Sequence, residues 1–167
     1  GRSLGHRIVE IKNDDPHKRE IAIEMKDYIR TVIEEYKELS DRNLIDKDIP
    51  MSNANYSKVS QRNLEKGTMG DQCAHFKGRL LWLARTSRPD IAFATHVLTR
   101  SMPDNWTVLD DEILYTIICY LESTINQVLH IIIDDRDNDS FEMLNMTDSH
   151  YGGCIKTGRS TSGYTSM

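Results

Sequence analysis

Residues 78–94 read GRLLWLARTSRPDIAFA, and this stretch decides the type of fold. Apolar residues recur at steps of three and four on both sides of Pro89, which places one apolar stripe on each of two helices. Proline suits the first turn of a helix because its fixed φ and its missing N–H donor are harmless there. The stretch therefore predicts two helices that meet at residues 85–89. The stripe positions are Phe76, Leu80, Leu83 and Ala84 before the proline and Ile91, Ala94, Val97 and Leu98 after it.

Two more segments outside this stretch have the helical period. Apolar residues from Met25 to Tyr36 predict a helix over residues 25–39, and those from Ile113 to Leu121 predict a fourth helix. Thr107, with Asp110 three residues later, resembles the capping box of that fourth helix. Residues 40–60 have no periodicity and contain several turn formers, so they predict a long connection and a domain boundary.

Strands are predicted at both ends of the chain. Residues 7–12 and 20–23 flank the turn-forming residues 13–16, which predicts a hairpin. Residues 128–133 and 141–147 flank a polar turn. The expected fold class is α/β in the α+β arrangement: an N-terminal hairpin and helix, a helical connection of about three helices, and a final antiparallel sheet. The corresponding segments are 1–60, 61–127 and 128–167.

The composition is typical of a soluble globular protein, and we expect this protein inside a cell. The apolar share is 38%, the charged share is 28% and the mean hydropathy is -0.54, whereas 7% aromatic residues predict a thin core that depends on neighbours. No apolar run approaches the roughly 20 residues that span a bilayer, so no membrane partner is expected. Cys73, Cys119 and Cys154 are odd in number and far apart, which predicts reduced thiols. The start at Gly1, without methionine, suggests a chain cut from something longer.

Charge is distributed unevenly along the chain. Residues 1–70 carry 13 basic and 13 acidic side chains, residues 71–103 carry 5 and 2, and residues 104–167 carry 3 and 11. A protein whose main partner was duplex nucleic acid would normally have a larger basic excess. Only the middle segment could contact phosphates, and an ordinary charged surface is the favoured interpretation. The predicted phosphate partners are Lys77, Arg79, Arg85, Arg88 and Arg100.

Three stretches together resemble the copia-type reverse transcriptase family of retrotransposons. Residues 78–94 are similar to the motif G-x-L-x-Y-L-A … T-R-P-D-I-x-F-A, with Trp82 at the aromatic position. Residues 106–130 resemble H-W … R-x-L-x-Y-L-x-x-T-x-x-x-G-L-x-Y, from which Asn105 and Ile131 depart. Residues 147–164 resemble S-D-A-D-W-A-G … R-R-S-T-S-G-Y, with the same spacing between the two halves.

The resemblance extends over nearly the whole chain. Residues 3–8 and 21–29 are similar to the family's F-L-G-I-x-I and I-x-L-x-Q-x-x-Y-I. It implies a chain that runs from the last palm strands and the thumb of a reverse transcriptase, through the connection, into the first strands of an RNase H-like domain. Two isolated strands are marginal in water, so the last hairpin is expected to pack on the helices or on another chain.

The resemblance also implies magnesium chemistry for which this sequence holds few residues. A polymerase of this family needs adjacent aspartates in a Tyr-x-Asp-Asp turn to hold its metal ions, and that motif is absent. Asp134-Asp135 follows a predicted strand, but a solvated turn is the favoured interpretation. Cys73 and His75 lie on a predicted helix without a second ligand pair at zinc spacing, so a structural role is favoured.

RNase H chemistry needs several carboxylates that converge on two magnesium ions. By resemblance, Asp148 is the first of these catalytic and metal ligands and lies at the end of a strand. The family's other ligands come from later in the domain, and His150 stands where many members have a second aspartate. We therefore expect an incomplete site that does not bind magnesium tightly.

The sequence predicts a segment of a retrotransposon reverse transcriptase and RNase H that supports a template–primer or an RNA–DNA hybrid, binds it weakly and is inactive alone. The expected partners also include the rest of the polyprotein or another protein chain, in cytoplasmic virus-like particles or the nucleus. The alternative is a domesticated, non-catalytic scaffold or protein-interaction subunit, which would suit the acidic C-terminal third. A stand-alone nuclease requires another chain to supply the missing ligands.

Overall fold

The structure, a computed structural model, describes residues 2–3, 5–59, 65–137, 145–150 and 161–166, of which 2–3, 137, 145–150 and 161–166 are described as backbone only. Within these residues the fold is α+β, as predicted, with five α-helices and six β-strands. The strands are β1 (Arg2–Ser3), β2 (His6–Ile11), β3 (Lys18–Glu24), β4 (Leu129–Asp134), β5 (Asn145–His150) and β6 (Thr161–Ser166). The helices are α1 (Lys26–Ser40), α2 (Asn53–Lys58), α3 (Cys73–Thr86), α4 (Ala92–Thr99) and α5 (Val108–Ser123).

The first four strands form one antiparallel sheet in the order β1-β2-β3-β4. The β2–β3 hairpin is the predicted one, and its turn lies at residues 14–17, where the Lys18 N–H donates to the Asp15 carbonyl at 3.0 Å. The strand predicted at residues 128–133 also forms, but it pairs with β3, so that Ile21 lies opposite Ile131. The segment division predicted from the sequence puts this strand with residues 141–167. In the structure it completes the N-terminal sheet instead, because β3 offers a free edge with matching apolar residues.

The helices share one hydrophobic core, which crosses the predicted boundary at residues 40–60. The apolar stripe of α1 is buried together with those of α3, α4 and α5. Tyr36 of α1 meets Phe76 of α3 edge-on, with ring centroids 5.7 Å apart. The core-facing residues are Ile29, Val32, Ile33 and Tyr36 of α1, with Met25 directly before it. Helix α1 is therefore part of the helical body and not of a separate N-terminal module.

The connection at residues 40–60 packs along α5 and contains a short helix. Arg42 binds Glu112 at 2.8 Å and lies over the Tyr115 ring, 3.7 Å from its centroid. The Tyr115 hydroxyl donates to the Asn43 carbonyl at 2.9 Å. Ser52 caps α2, which the lack of periodicity in this region did not predict. Polar contacts with α5, together with apolar side chains that pack on the core, thus fix this segment.

The predicted capping box at the start of α5 is present. Asp110 accepts hydrogen bonds from the backbone N–H and the hydroxyl of Thr107, at 2.8 and 2.7 Å. The adjacent Asp111 accepts from the indole of the buried Trp106 at 2.6 Å. It also accepts from the backbone N–H groups of Thr68 and Met69, at 2.6 and 3.1 Å. One carboxylate therefore fixes the chain that enters α3 against the start of α5.

Candidate nucleic-acid interface

Helix α3 carries three of the five predicted phosphate partners, but they point in different directions. Lys77 and Arg79 are two residues apart, which places them about 200° apart around a helix. The Lys77 ammonium donates to the Ser101 carbonyl at 2.7 Å, beyond the end of α4. The Arg79 guanidinium donates to Glu35 of α1 at 2.8 Å, on the other side of α3. The two cations therefore do not form one patch.

Arg79 belongs to a cluster that joins α1 to α3. Glu35 binds Arg79 through one carboxylate oxygen and His75 through the other, at 2.8 and 2.9 Å. The Arg79 guanidinium also lies 5.7 Å from the Tyr28 ring centroid. Burial raises the pKa of Tyr28, and the positive charge of Arg79 partly offsets that rise. Since a carboxylate already neutralises Arg79, a phosphate would have to compete for it.

Arg88 requires a correction, because it lies inside the protein. Its side chain is only 2% exposed and binds Asp90 at 2.7 Å. The same guanidinium donates to the Thr124 carbonyl at 3.2 Å and to the Thr124 hydroxyl at 2.6 Å. A buried arginine that is already paired cannot reach a phosphate. The sequence suggested a surface cation because the partner Thr124 is 36 residues away along the chain.

The Arg88 network explains the Arg-Pro-Asp part of the motif in physical terms. Pro89 occupies the first turn of the short 3₁₀ helix before α4. Asp90 binds Arg88 and accepts from the Tyr120 hydroxyl at 2.8 Å. Burial raises the pKa of Asp90, but these hydrogen bonds from Arg88 and Tyr120 outweigh burial and hold it below the ordinary value. The motif thus fastens the α3–α4 junction to the C-terminal end of α5, where a positive charge suits the helix dipole.

Arg85 and Arg100 remain the most available of the predicted cations. Arg85 is exposed in the last turn of α3, and Arg100 is half-buried at the end of α4. Within the side chains described, at residues 5–59 and 65–136, neither has an ion pair. Burial, and secondarily the charge of Arg100, lowers the pKa of His96. Arg100 lies next to Ser101, whose carbonyl binds Lys77, whereas Arg85 lies at the C-terminal end of α3.

Phe93 is an exposed aromatic residue that the sequence analysis did not single out. Its side chain is 58% exposed, and its ring lies 5.4 Å from that of Tyr56 on α2. Exposed aromatic rings are the groups on which single-stranded bases stack. The sequence contained a signal for this exposure, because Phe93 lies outside the predicted apolar stripe that contains Ile91 and Ala94.

A cleft of about 480 Å³ lies where β2 meets the start of α1. Its charged lining is mixed in sign. Arg7 lies 3.9 Å from Glu24, and Arg30 binds Asp27 at 3.3 Å. Two of its cations are therefore paired with carboxylates, whereas Lys26 binds the neutral side chain of Asn126.

Asp148 lies within β5, opposite Gly163 of β6. The strand continues for two residues to His150, so the prediction that Asp148 ends the strand was wrong by that distance. The predicted antiparallel pairing of this segment with residues 160–164 is present in the described part of the hairpin. Residues 141–144 of the predicted strand lie outside the described residues.

A magnesium site needs several oxygen ligands that converge on one point. No group of three His, Cys, Asp or Glu residues among them could hold a metal ion. Asp134 and Asp135, the nearest sequence imitation of a catalytic pair, bind Arg136 at 2.5 Å and His17 at 2.9 Å. Hydrogen bonds from Arg136 lower the pKa of Asp134. These contacts close a turn, and the described residues do not fit magnesium.

Comparison with known proteins gives one partial similarity. The chain is 32% identical over 87 residues to the uncharacterized mitochondrial protein AtMg00810 of Arabidopsis thaliana. The aligned stretch covers 52% of this chain and spans about a third, 34%, of that protein's length. No protein-family profile matches the sequence, and no solved structure matches the fold. Among the described residues, no helix has the length and apolar character needed to cross a membrane.

Proposed function

We propose that the chain is a segment of a copia-type retrotransposon polyprotein that supports a template–primer or an RNA–DNA hybrid without an active site of its own. The antiparallel β5–β6 hairpin carries this proposal, because the resemblance to RNase H implied that pairing. In that register Asp148 lies opposite Gly163. The helical body then corresponds to the thumb and connection.

The Arg88 network supports the same assignment. The motif T-R-P-D is one on which the resemblance rests, and here the buried Arg88 forms a hydrogen-bonded unit with the partly exposed Asp90 and with Tyr120. Such a unit ties two helices together and does not react. The resemblance on this stretch therefore concerns the architecture of the connection.

Magnesium supplies the hydrolytic and polymerising chemistry in the parent family. Among the described side chains no group of three His, Cys, Asp or Glu residues could hold that ion, and the proposal assigns the chain no metal-dependent step of its own. The residues 1–167 should show neither DNA synthesis on a primed template nor magnesium-dependent cleavage of RNA in a hybrid. Activity that follows the protein through an ion-exchange peak and is lost in Asp148→Asn would refute the proposal.

Nucleic-acid binding should be weak and should depend on few cations. With Arg88 buried, Arg79 neutralised by Glu35 and the Lys77 ammonium engaged by the Ser101 carbonyl, Arg85 and Arg100 carry most of the attraction. Two phosphate contacts imply that log K falls against log salt with a slope of about -1.8, since each contact contributes about 0.9. Fluorescence anisotropy with a labelled hybrid at several salt concentrations measures the slope. Arg85→Gln should roughly halve it, whereas Arg88→Met should leave it unchanged.

A domesticated scaffold remains the second candidate, and one observation favours it. Three consecutive isoleucines of β4, Ile131, Ile132 and Ile133, are exposed in a region of the chain that is otherwise acidic. Absence of hybrid binding at low salt would favour this candidate. In the source gene, an intact Tyr-x-Asp-Asp upstream and further carboxylates downstream would favour the element, and a stop codon after Met167 would favour the scaffold.

A further inference from the structure

Phe93, His96 and Arg100 form one stripe on the solvent side of α4, called here the α4 stripe. Steps of three and seven residues place the three side chains within about 60° of each other around the helix. Phe93 and His96 are exposed and Arg100, which keeps helical dihedral angles directly after α4, is half-buried. The opposite side of α4 is buried in the hydrophobic core. The stripe is therefore the part of α4 that can meet a partner.

Helix α2 supports the Phe93 ring from the side. The Tyr56 ring lies 5.4 Å from it, centroid to centroid, with the two ring planes tilted by 56°. Tyr56 in turn packs against the hydrophobic core. Aromatic pairs at this distance stabilise each other, so the contact restricts the orientation of Phe93. Phe93 nevertheless remains 58% exposed, which presents a fixed aromatic surface to solvent.

The part of the chain that carries these rings is basic, although the whole chain is acidic. Residues 49–103 contain eight Lys and Arg and three Asp and Glu, which gives a net charge of +5, whereas the whole chain has -5. The segments on either side of the ring contact, 49–64 and 91–103, contain no carboxylate. Asp90 directly before α4 is paired with Arg88. The surroundings of the two rings therefore suit an anion.

We propose that the α4 stripe, supported by Tyr56, binds single-stranded nucleic acid, with a base stacked on Phe93 and a phosphate at Arg100. Aromatic rings combined with cations are the means by which proteins hold unpaired strands, because every base has a face that can stack. Bases within a duplex already stack on each other, so the ring selects an unpaired part of the strand. The inference rests on the proposed function and names the part of the template that the chain holds.

The spacing and charge of the stripe fit this division of roles. Seven residues of helix advance about 10 Å, so the Phe93 ring and the Arg100 guanidinium can hold one short stretch of strand. Among the side chains described, at residues 5–59 and 65–136, no carboxylate pairs with Arg100. Burial, and secondarily the charge of Arg100, lowers the pKa of His96, so the His96 ring is neutral near pH 7. Arg100 is then the charged member of the stripe.

The first test separates stacking from charge. Fluorescence anisotropy measures the binding of a labelled single strand of about 10 nucleotides to the full chain at several salt concentrations. Phe93→Leu keeps an apolar side chain but removes the ring, and it should lower the affinity about 5- to 150-fold without changing the salt slope. Arg100→Gln should instead reduce the slope by about 0.7, the contribution of one phosphate on a single strand.

Two further variants control for the ring itself. Phe93→Trp retains an aromatic face and should bind at least as tightly as the unmodified chain. Leu39→Ala removes another exposed apolar side chain, 50% exposed at the end of α1, and should leave binding unchanged. Phe93→Leu that binds like the unmodified chain, or that binds like Phe93→Trp, would overturn the inference.

The choice of ligand separates this inference from the proposed function. Binding of an RNA–DNA hybrid that is accompanied by equal single-strand affinity in Phe93→Leu and the unmodified chain would overturn the stacking site and leave the proposed function standing. Absence of binding to both ligands at low salt would remove both. A strand of the same length without bases should bind more weakly. Equal binding of that strand would show attraction of charge alone, and equal binding of poly-glutamate would assign the surface to an acidic protein; either result overturns the inference.

The last test concerns access to the ring. In a Cys154→Ser background, Phe93→Cys should react with a thiol reagent in the folded chain nearly as fast as in the unfolded chain. Cys73 and Cys119 are buried and should react slowly in the folded chain. Slow modification of Phe93→Cys would mean that another segment of the chain covers this position, which would overturn the inference.

Discussion

Removing Asp90 is expected to destabilise the protein more than removing Arg88, although the two form one ion pair. The difference follows from exposure, because the Arg88 side chain is 2% exposed and that of Asp90 is 32% exposed. Water can hydrogen-bond to the Asp90 carboxylate after Arg88 has been removed. It cannot reach the buried Arg88 guanidinium after Asp90 has been removed.

The magnitudes follow from the groups left unpaired. In Asp90→Asn the buried guanidinium keeps its hydrogen bonds to Thr124 but loses its counter-charge, so the free energy of unfolding should fall by about 3 kcal/mol. In Arg88→Met the carboxylate keeps the Tyr120 hydroxyl and gains water, and the loss should be about 1–2 kcal/mol. The double variant should lose less than the sum, because each single change includes the cost of the abandoned partner.

Urea-induced unfolding of the full chain, followed by circular dichroism, measures all three values. Glu112→Gln is a suitable control, because its pair with Arg42 is exposed on both sides and should contribute less than about 1 kcal/mol. A larger loss in Arg88→Met than in Asp90→Asn would refute the argument from exposure. Losses of unfolding free energy in both variants that are no larger than the loss in Glu112→Gln would refute it as well.

The same pair predicts a dependence on acid. The folded-state pKa of Asp90 lies below its ordinary value of 3.8, so its stabilising contribution is present above that value and is lost as the pH falls through the folded pKa. The difference in stability between the unmodified chain and Asp90→Asn should therefore shrink below about pH 4. A difference that stays constant into strong acid would contradict this assignment.

Three further predictions concern the core. Asp111→Ala should lower the free energy of unfolding by about 3–4 kcal/mol and shift the fluorescence of Trp106, because it leaves two backbone N–H groups and the indole without an acceptor. Burial raises the pKa of Tyr36 to about 12, so its stabilising contribution should be lost as the pH rises from 10 towards 12, and a pH titration of Tyr36→Phe should show a smaller loss there. Gly67→Ala should destabilise by about 1–3 kcal/mol in thermal unfolding, because its Cβ would lie 2.5 Å from a backbone oxygen, whereas Gly78→Ala meets open space in a helix and should stabilise by about 0.5–1 kcal/mol.

Local signals predicted most of the elements. The apolar periods gave α1, α3, α4 and α5, and the Thr107–Asp110 pair gave the start of α5. These features depend on residues within a few positions of each other, which a single sequence displays directly. The partner of β4 could not be predicted in this way. Ile21 and Ile131 are paired across the length of the helical body, and no local pattern records that contact.

The candidate site was less predictable for a related reason. Charge in the sequence suggested five surface cations, but their availability depends on partners that lie far away along the chain. Glu35 neutralises Arg79 from another helix, and Thr124 helps to bury Arg88. The adjacent Asp90 was a local signal that Arg88 could be paired. The assignment of Asp148 as a ligand stays a prediction.

The pairing of β3 with β4 also has a consequence for synthesis on the ribosome. β3 ends at Glu24 and β4 at Asp134. The β2–β3 hairpin is therefore complete long before β4, the next strand of the sheet, has been translated. At a translation rate of about 5–20 residues per second, the edge of β3 remains unpaired for on the order of 5–20 seconds before β4 is complete. During that interval Ile21 and Ile23 lack the strand partners that β4 later provides. A chaperone that binds short apolar strands should therefore engage this polypeptide early and leave once Asp134 has emerged.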